Sequence, residues 1–258
     1  MSVKTAENTL DIFEAFAELG RPATLDELSE ATGIPSPECA ELLHCLEERG
    51  YLVPPRGEGP VYPTGRLMQV ASEITANDPV TPGVLMQMDA LRDELDETVV
   101  LGTLRGARVI YLHVSPSRQP VRYAPGAGTS RPAHANSIGR AILAAVSPER
   151  RAAAMKRMRF QALTPDTPAN AEALEAIIIE GADRGWAENI GESDSDLAAV
   201  ACPVVVNGMV LGLSVGGPRH RIVDAPPERI AESLARACAR IEETIRQAAR
   251  EEAEQSAD

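Results

Sequence analysis

Residues 24–52, TLDELSEATGIPSPECAELLHCLEERGYL, start and stop two helices within 29 positions, and that punctuation leaves the segment few folds. Thr24 and Glu27 form a capping box, in which hydroxyl and carboxylate each meet an orphan amide, so a short helix opens there and Gly33 ends it. Ser36 and Pro37 then supply a cap and a proline at the first helical position. Leu42, Leu43 and Leu46 give the buried stripe, and Gly50 is the stop. A stripe at Leu10, Phe13, Phe16 and Ala17, closed by Gly20, adds a helix in front. Behind come two β-prone runs, YLVPP and VYPT, joined by the turn RGEG. Three helices and a hairpin predict a winged helix-turn-helix over residues 1–66.

A helical stretch follows to about Ala76, and NDPVTPG breaks it with two prolines, which makes residues 67–79 an expected linker helix. Beyond it Val84, Leu85, Met88, Leu91 and Leu95 mark a helix. TVVLGTL and RVIYLHVS around Arg105-Gly106 read as a hairpin, and VVVNGMVLGLSV reads as a stronger one, because Asn-Gly favours the turn that matches strand twist. Helices are expected at roughly 134–146, 148–158, 171–184 and 227–249. Hairpins covered by helices predict an α+β domain over residues 80–250 with an antiparallel sheet, followed by a solvated tail at 251–258.

Composition excludes several classes. No run of eighteen apolar residues exists and the N-terminus lacks the core of a signal peptide, so a cytoplasmic protein that does not enter a membrane is expected. Cysteines 39, 45, 202 and 238 form no CxxC pair and show no ligand spacing with the four histidines, and no glycine-rich phosphate loop is present. No metal and no cofactor is expected. The net charge is −13, of which −7 falls within residues 1–66. The segment expected to meet a polyanion is the more acidic part of the chain.

TLDELSEATGIP with LLHCLEERGYL, PAHANSIGRAILAA, and AVACPVVVNGMVLGLSVGGPRHRI together resemble the IclR (isocitrate lyase regulator) family of bacterial transcription factors over nearly the whole chain. The middle segment is similar to the family's His-Ala-x-x-x-Gly-Lys-Ala-Leu-Leu-Ala motif, with Arg140 in place of Lys. The resemblance implies a DNA-binding winged helix, a linker that dimerises, and a GAF-like C-terminal domain that holds a small organic effector, often a carboxylate or aromatic acid. Homodimers or homotetramers on a duplex operator are implied partners. Ser36, Glu38, Cys39 and Glu41 in the first turns of the third helix, with Arg56 in the wing, are then the candidate DNA contacts. Family members usually carry Lys, Arg, Ser or Thr in those turns, and here acids adjoin the phosphates, where they add repulsion.

Three places converge on the implied effector pocket. His134 to Gly139 open a helix whose free amides attract a carboxylate, with Asn136 and Ser137 as further donors. The loop ENIGESDSDLAAVAC carries Glu192, Ser193, Asp194 and Asp196, and the resemblance puts the family's acidic pocket residue near Glu192. Cys202 and Ser214 match pocket positions on the two strands of the last hairpin, and Gly216 replaces a second serine. An enzyme alternative uses the same groups, with Cys202 as nucleophile, His134 as base and Glu192 or Asp194 as orienter. A third alternative makes the acidic N-terminal domain a protein-interaction module.

Overall fold

Residues 4–54, 59–76 and 81–255 are described by the computed structural model, which divides into two units, Met1–Asp78 and Pro79–Asp258. In the first, α1 (Lys4–Leu19), α2 (Leu25–Thr32) and α3 (Ser36–Glu48) surround a core of Ile12, Phe16, Leu28, Ile34, Leu43, Leu46 and Leu52. The capping box forms as the sequence predicts, with Thr24 N donating to the Glu27 carboxylate at 2.8 Å and Glu27 N to the Thr24 hydroxyl at 3.3 Å. Gly33 adopts φ 70°, a left-handed cap that a Cβ would strain, and its amide donates to the Ser29 carbonyl. Strands β1 (Leu52–Val53) and β2 (Tyr62–Pro63) pair, and Val61 bridges back to Ala23, so the wing is anchored to the helices. Arg56 and most of the expected RGEG turn lie outside the described residues. Helix α4 (Arg66–Ala76) completes this unit.

The second unit is a six-stranded antiparallel sheet ordered β5-β4-β3-β8-β7-β6. Its strands are β3 (Thr98–Arg105), β4 (Arg108–Ser115), β5 (Ser130–Pro132), β6 (Ala187–Ile190), β7 (Leu197–Val206) and β8 (Met209–Pro218). Asn207 and Gly208 both take positive φ, 49° and 76°, as the expected tight hairpin requires. One face of the sheet is covered by α5 (Thr81–Leu95), the short α9 (Arg219–Asp224) and α10 (Pro227–Gln255), burying Met88, Leu91, Leu101, Val204, Leu213, Ile222, Leu234 and Ile241. The other carries α6 (Ser137–Ala145), α7 (Pro148–Met155) and α8 (Ala171–Arg184), with Ile138, Ile142, Leu174 and Ile178 buried beneath. Among the described residues no helix is long and apolar enough to cross a membrane.

The seat of α6 decides where its N-terminus points. A Cβ at Gly212 would stand 2.7 Å from Ile138 Cγ2, so glycine on β8 is what lets the helix lie directly on the sheet. At its start the sequence reading needs correction. Residues 133–135 form a 3₁₀ turn, and α6 opens at Asn136, whose side chain accepts from Gly139 N, rather than at His134. Two short edge strands, β5 and β6, went unread, because runs of three and four residues are too short for an alternation to register.

Candidate functional site

The N-terminus of α6 and the sheet beneath it enclose a small cavity of about 30 Å³, room for roughly two water molecules. Four expected residues line it: Asn136 and Ser137 from the helix start, Ser214 and Gly216 from β8. Ser137 and Ser214 are buried as residues, at 3 % and 5 % exposure, and among the described residues neither hydroxyl has a hydrogen-bond partner. Neither oxygen is sealed off, since the one enclosed unpartnered side-chain atom among the described residues is Arg140 Nε, so both are open to the cavity and offer a place for a ligand's oxygens. Of the first amides of α6, that of Gly139 is taken by the Asn136 side chain, which leaves those of Ser137 and Ile138 ahead of any intrahelical acceptor.

Sequence reasoning missed Tyr111, Tyr123 and Asn189, and passed over Ser193 as loop. Asn136 Nδ2 donates to the Tyr111 hydroxyl at 3.0 Å, and the two phenol oxygens lie 3.2 Å apart. Burial, reinforced by Tyr123, pushes the Tyr111 phenol well above its ordinary range, so it remains a neutral hydrogen-bonding group. Asn189 Nδ2 donates to the Ala135 carbonyl at 2.5 Å and reaches Ser193 Oγ at 3.3 Å, which ties the loop after β6 to the helix start. The one available signal was scarcity: the chain has four tyrosines, and two of them meet here. Among the described residues the lining carries no formal charge.

The remaining expected site residues do not line this cavity. His134 is 1 % exposed, with Nε2 3.1 Å from the Gln161 carbonyl oxygen and its ring against Phe160. Its place in the 3₁₀ turn sends it away from the helix axis. Gly139 is a packing requirement, since a Cβ there would stand 2.6 Å from the Ala133 carbonyl oxygen. Glu192 is held by the guanidinium of Arg140, accepting from Nη1 at 2.8 Å and from Nη2. The same guanidinium donates to the carbonyls of Glu188 and His134, while its Nε has no partner among the described residues. Asp194 is exposed and accepts from Asp196 N, shaping the turn.

Cys202 sits on the opposite face of the sheet, in the core beneath α10. Strand register settles this: Cys202 pairs with the inward Leu213, whereas Ser214 pairs with Ala201. The nucleophile, base and carboxylate of the enzyme alternative are therefore not brought together. Burial pushes the Cys202 thiol up to about 11 and raises Cys39 and Cys238 as well. At pH 8 only about one Cys202 in a thousand is thiolate, so iodoacetamide is expected to modify exposed Cys45 and to spare the other three. Mass spectrometry of the labelled chain checks this, and rapid labelling of Cys202 would contradict the buried placement.

On α3 the 3.6-residue period turns Cys39, Leu43 and Leu46 inward, so Cys39, fully buried, is no DNA contact. Glu38 accepts from Asn8 Nδ2 of α1 at 2.7 Å, and the Ser36 hydroxyl lies 3.2 Å from that of Ser29. The exposed face retains Glu41, His44, Cys45 and Glu48, with His44 Nε2 3.5 Å from the Glu48 carboxylate.

A winged helix-turn-helix joined to an antiparallel α+β domain with a polar cavity at a helix start defines a two-domain protein of the transcriptional-regulator class. Residues 5–55 match the IclR helix-turn-helix domain, and residues 75–243 match the bacterial transcriptional regulator IclR C-terminal domain. The chain belongs to the IclR family. It is 25% identical over 236 residues to the HTH-type transcriptional regulator KdgR of Escherichia coli, covering 90% of this chain and 88% of that one. It is 26% identical over 205 residues to the Pca regulon regulatory protein of Pseudomonas putida, 78% of this chain and 69% of the relative. The fold is shared with an IclR regulator from Alicyclobacillus acidocaldarius at TM-score 0.79 and 22% identity, over 95% of this chain and 99% of the other. An IclR homologue from Microbacterium hydrocarbonoxydans, solved with 4-hydroxybenzoate, superposes at TM-score 0.77 and 21% identity, over 94% and 99% of the two chains.

Proposed function

We propose that the protein is a ligand-responsive transcriptional regulator whose effector is a compact carboxylate held in the cavity at the start of α6. The observation that carries this is the pair of unpartnered hydroxyls, Ser137 at the start of α6 and Ser214 on β8, that line one uncharged space in otherwise buried residues. Neutral donors in fixed positions recognise a carboxylate without introducing a buried countercharge. The volume of about 30 Å³ favours an acid of a few heavy atoms over an aromatic one. The relatives' names support the regulatory reading, and the bound 4-hydroxybenzoate of one homologue supports a carboxylate as effector, though not its compact size. Leu67, Met68 and Ile74 on α4, all exposed, support a dimer formed through that helix.

A second reading, in which the operator is no longer gripped and the domain serves as a metabolite-binding protein, is favoured by Glu41 and Glu48 on the exposed face of α3. One experiment separates the two. Fluorescence anisotropy of a duplex from upstream of the protein's own gene, with a random duplex as control, is titrated against salt with and without acetate, glyoxylate, pyruvate and 4-hydroxybenzoate. A regulator binds its own duplex preferentially, more weakly as salt rises, and shifts affinity with one of the acids. Ser214→Leu fills the cavity and is expected to abolish that shift while leaving duplex affinity within about twofold, since β8 lies in the other unit. Absence of sequence preference at low salt in both states would reject the regulator reading.

A further inference from the structure

We propose that the C-terminal domain carries a second ligand site, separate from the cavity at the α6 start, which takes an organic acid with an apolar body. At the far end of α6 an open cleft of about 360 Å³ lies between α6, α7 and the tips of the β3–β4 and β7–β8 hairpins. Its size falls within the range of small-molecule sites, roughly 300–1,000 Å³. Arg105, Arg150 and Arg157 line it, and no carboxylate does. In a chain of net charge −13, acids are at hand to pair with cations, and Arg151, next to Arg150, pairs with Glu175 at 3.2 Å. The three cleft arginines have no ion-pair partner among the described residues.

Helical spacing explains the grouping. Arg150, Ala153, Ala154 and Arg157 stand at i, i+3, i+4 and i+7, one face of α7 and the turn after it, while Arg151 leaves by another. The two alanines between the guanidinium groups leave open space instead of filling it. Arg105 closes the site from the end of β3. The floor is apolar, with Ile142 from α6, Val146 just after it and Val210 from β8.

Such a site discriminates by needing both parts of its ligand. A guanidinium presents paired donors that match a carboxylate, and three of them around one cleft exceed what a neutral alcohol can satisfy. An inorganic anion would meet the arginines and leave the floor wet. A medium-chain or ring-bearing acid fulfils both. The site also differs in kind from the uncharged cavity at the other end of α6, which is nine residues long and so about 13 Å away along the helix.

Isothermal titration calorimetry with octanoate as probe tests the proposal on the full-length protein, with octan-1-ol and inorganic phosphate as comparators. Octanoate is expected to bind at one per chain, to weaken as salt rises, and to bind at least tenfold more tightly than either comparator. Arg150→Ala with Arg157→Ala, both exposed positions, should weaken it at least tenfold, while Ser214→Leu, which fills the other cavity, should leave it unchanged. No octanoate binding, equal binding of octan-1-ol or phosphate, or a signal that follows Ser214→Leu instead of the arginine pair would overturn the assignment. Because the regulator reading is scored by short acids and duplex binding, its failure would leave these outcomes legible.

Discussion

Glu192→Ala is expected to lower the stability of the C-terminal domain by about 3–5 kcal/mol, the cost of leaving a buried charge without its partner. Arg140 is fully buried, and two of its nitrogens reach the Glu192 carboxylate. Its other donations go to the Glu188 and His134 carbonyls, which cannot neutralise it. Removing the charge as well should recover most of the loss: Arg140→Met with Glu192→Leu replaces the pair by apolar groups of similar length, and such exchanges are close to neutral in stability. The double variant should therefore unfold nearer to wild type than Glu192→Ala does. Urea denaturation followed by circular dichroism measures both, and a Glu192→Ala midpoint equal to wild type would show that the ion pair does not hold this loop. The consequence reaches the cavity, because the loop that Arg140 anchors through Glu192 also carries Ser193 to its wall.

Much of this architecture was legible because it is specified locally. The caps at Thr24 and Gly33 and the turn at Asn207-Gly208 act over four or five residues, and each forms where the sequence places it. The facing of Cys202 was legible too, though it was not read. A two-residue turn pairs Val206 with Met209, and counting back pairs Cys202 with Leu213 and Ala201 with Ser214. Cys202 and Ser214 therefore cannot share a face, whatever a family position implies. The rest of the cavity had no such signal. Tyr111, Asn189 and Ser214 come from β4, β6 and β8, and only the strand order of the sheet brings them together. Arg140 and Glu192 are 52 residues apart, so that an acid chosen as a ligand group proved to be a partner for a buried guanidinium. The helix N-terminus was placed two residues early because a proline-led 3₁₀ turn precedes Asn136, and that shift alone moved His134 out of the site.

Reversing the acids on the exposed face of α3 is expected to change duplex binding more than any substitution in the C-terminal domain. Glu41 and Glu48 are exposed, the latter beside His44, whereas Glu38 is engaged with Asn8, so the first two are the acids placed to oppose phosphate. Glu41→Arg with Glu48→Arg should raise affinity for any duplex on the order of tenfold or more at low salt. It should also steepen the fall of log affinity with log salt by about 0.9 for each phosphate newly neutralised. In a dimer that presents both helices, two contacts per chain would add a slope of about 4. Whole-chain charge is the competing explanation, and Glu172→Arg with Asp183→Arg on α8 controls for it by making the same change in net charge on exposed positions of the other unit. The diffuse field weakens over a Debye length, about 8–10 Å at moderate salt, so the control should leave the slope nearly unchanged. A shared response in the two variants would mean that α3 does not lie against the duplex. A response confined to α3 would mean that the winged helix still presents its third helix to DNA, and that its acids temper non-specific binding rather than abolish recognition.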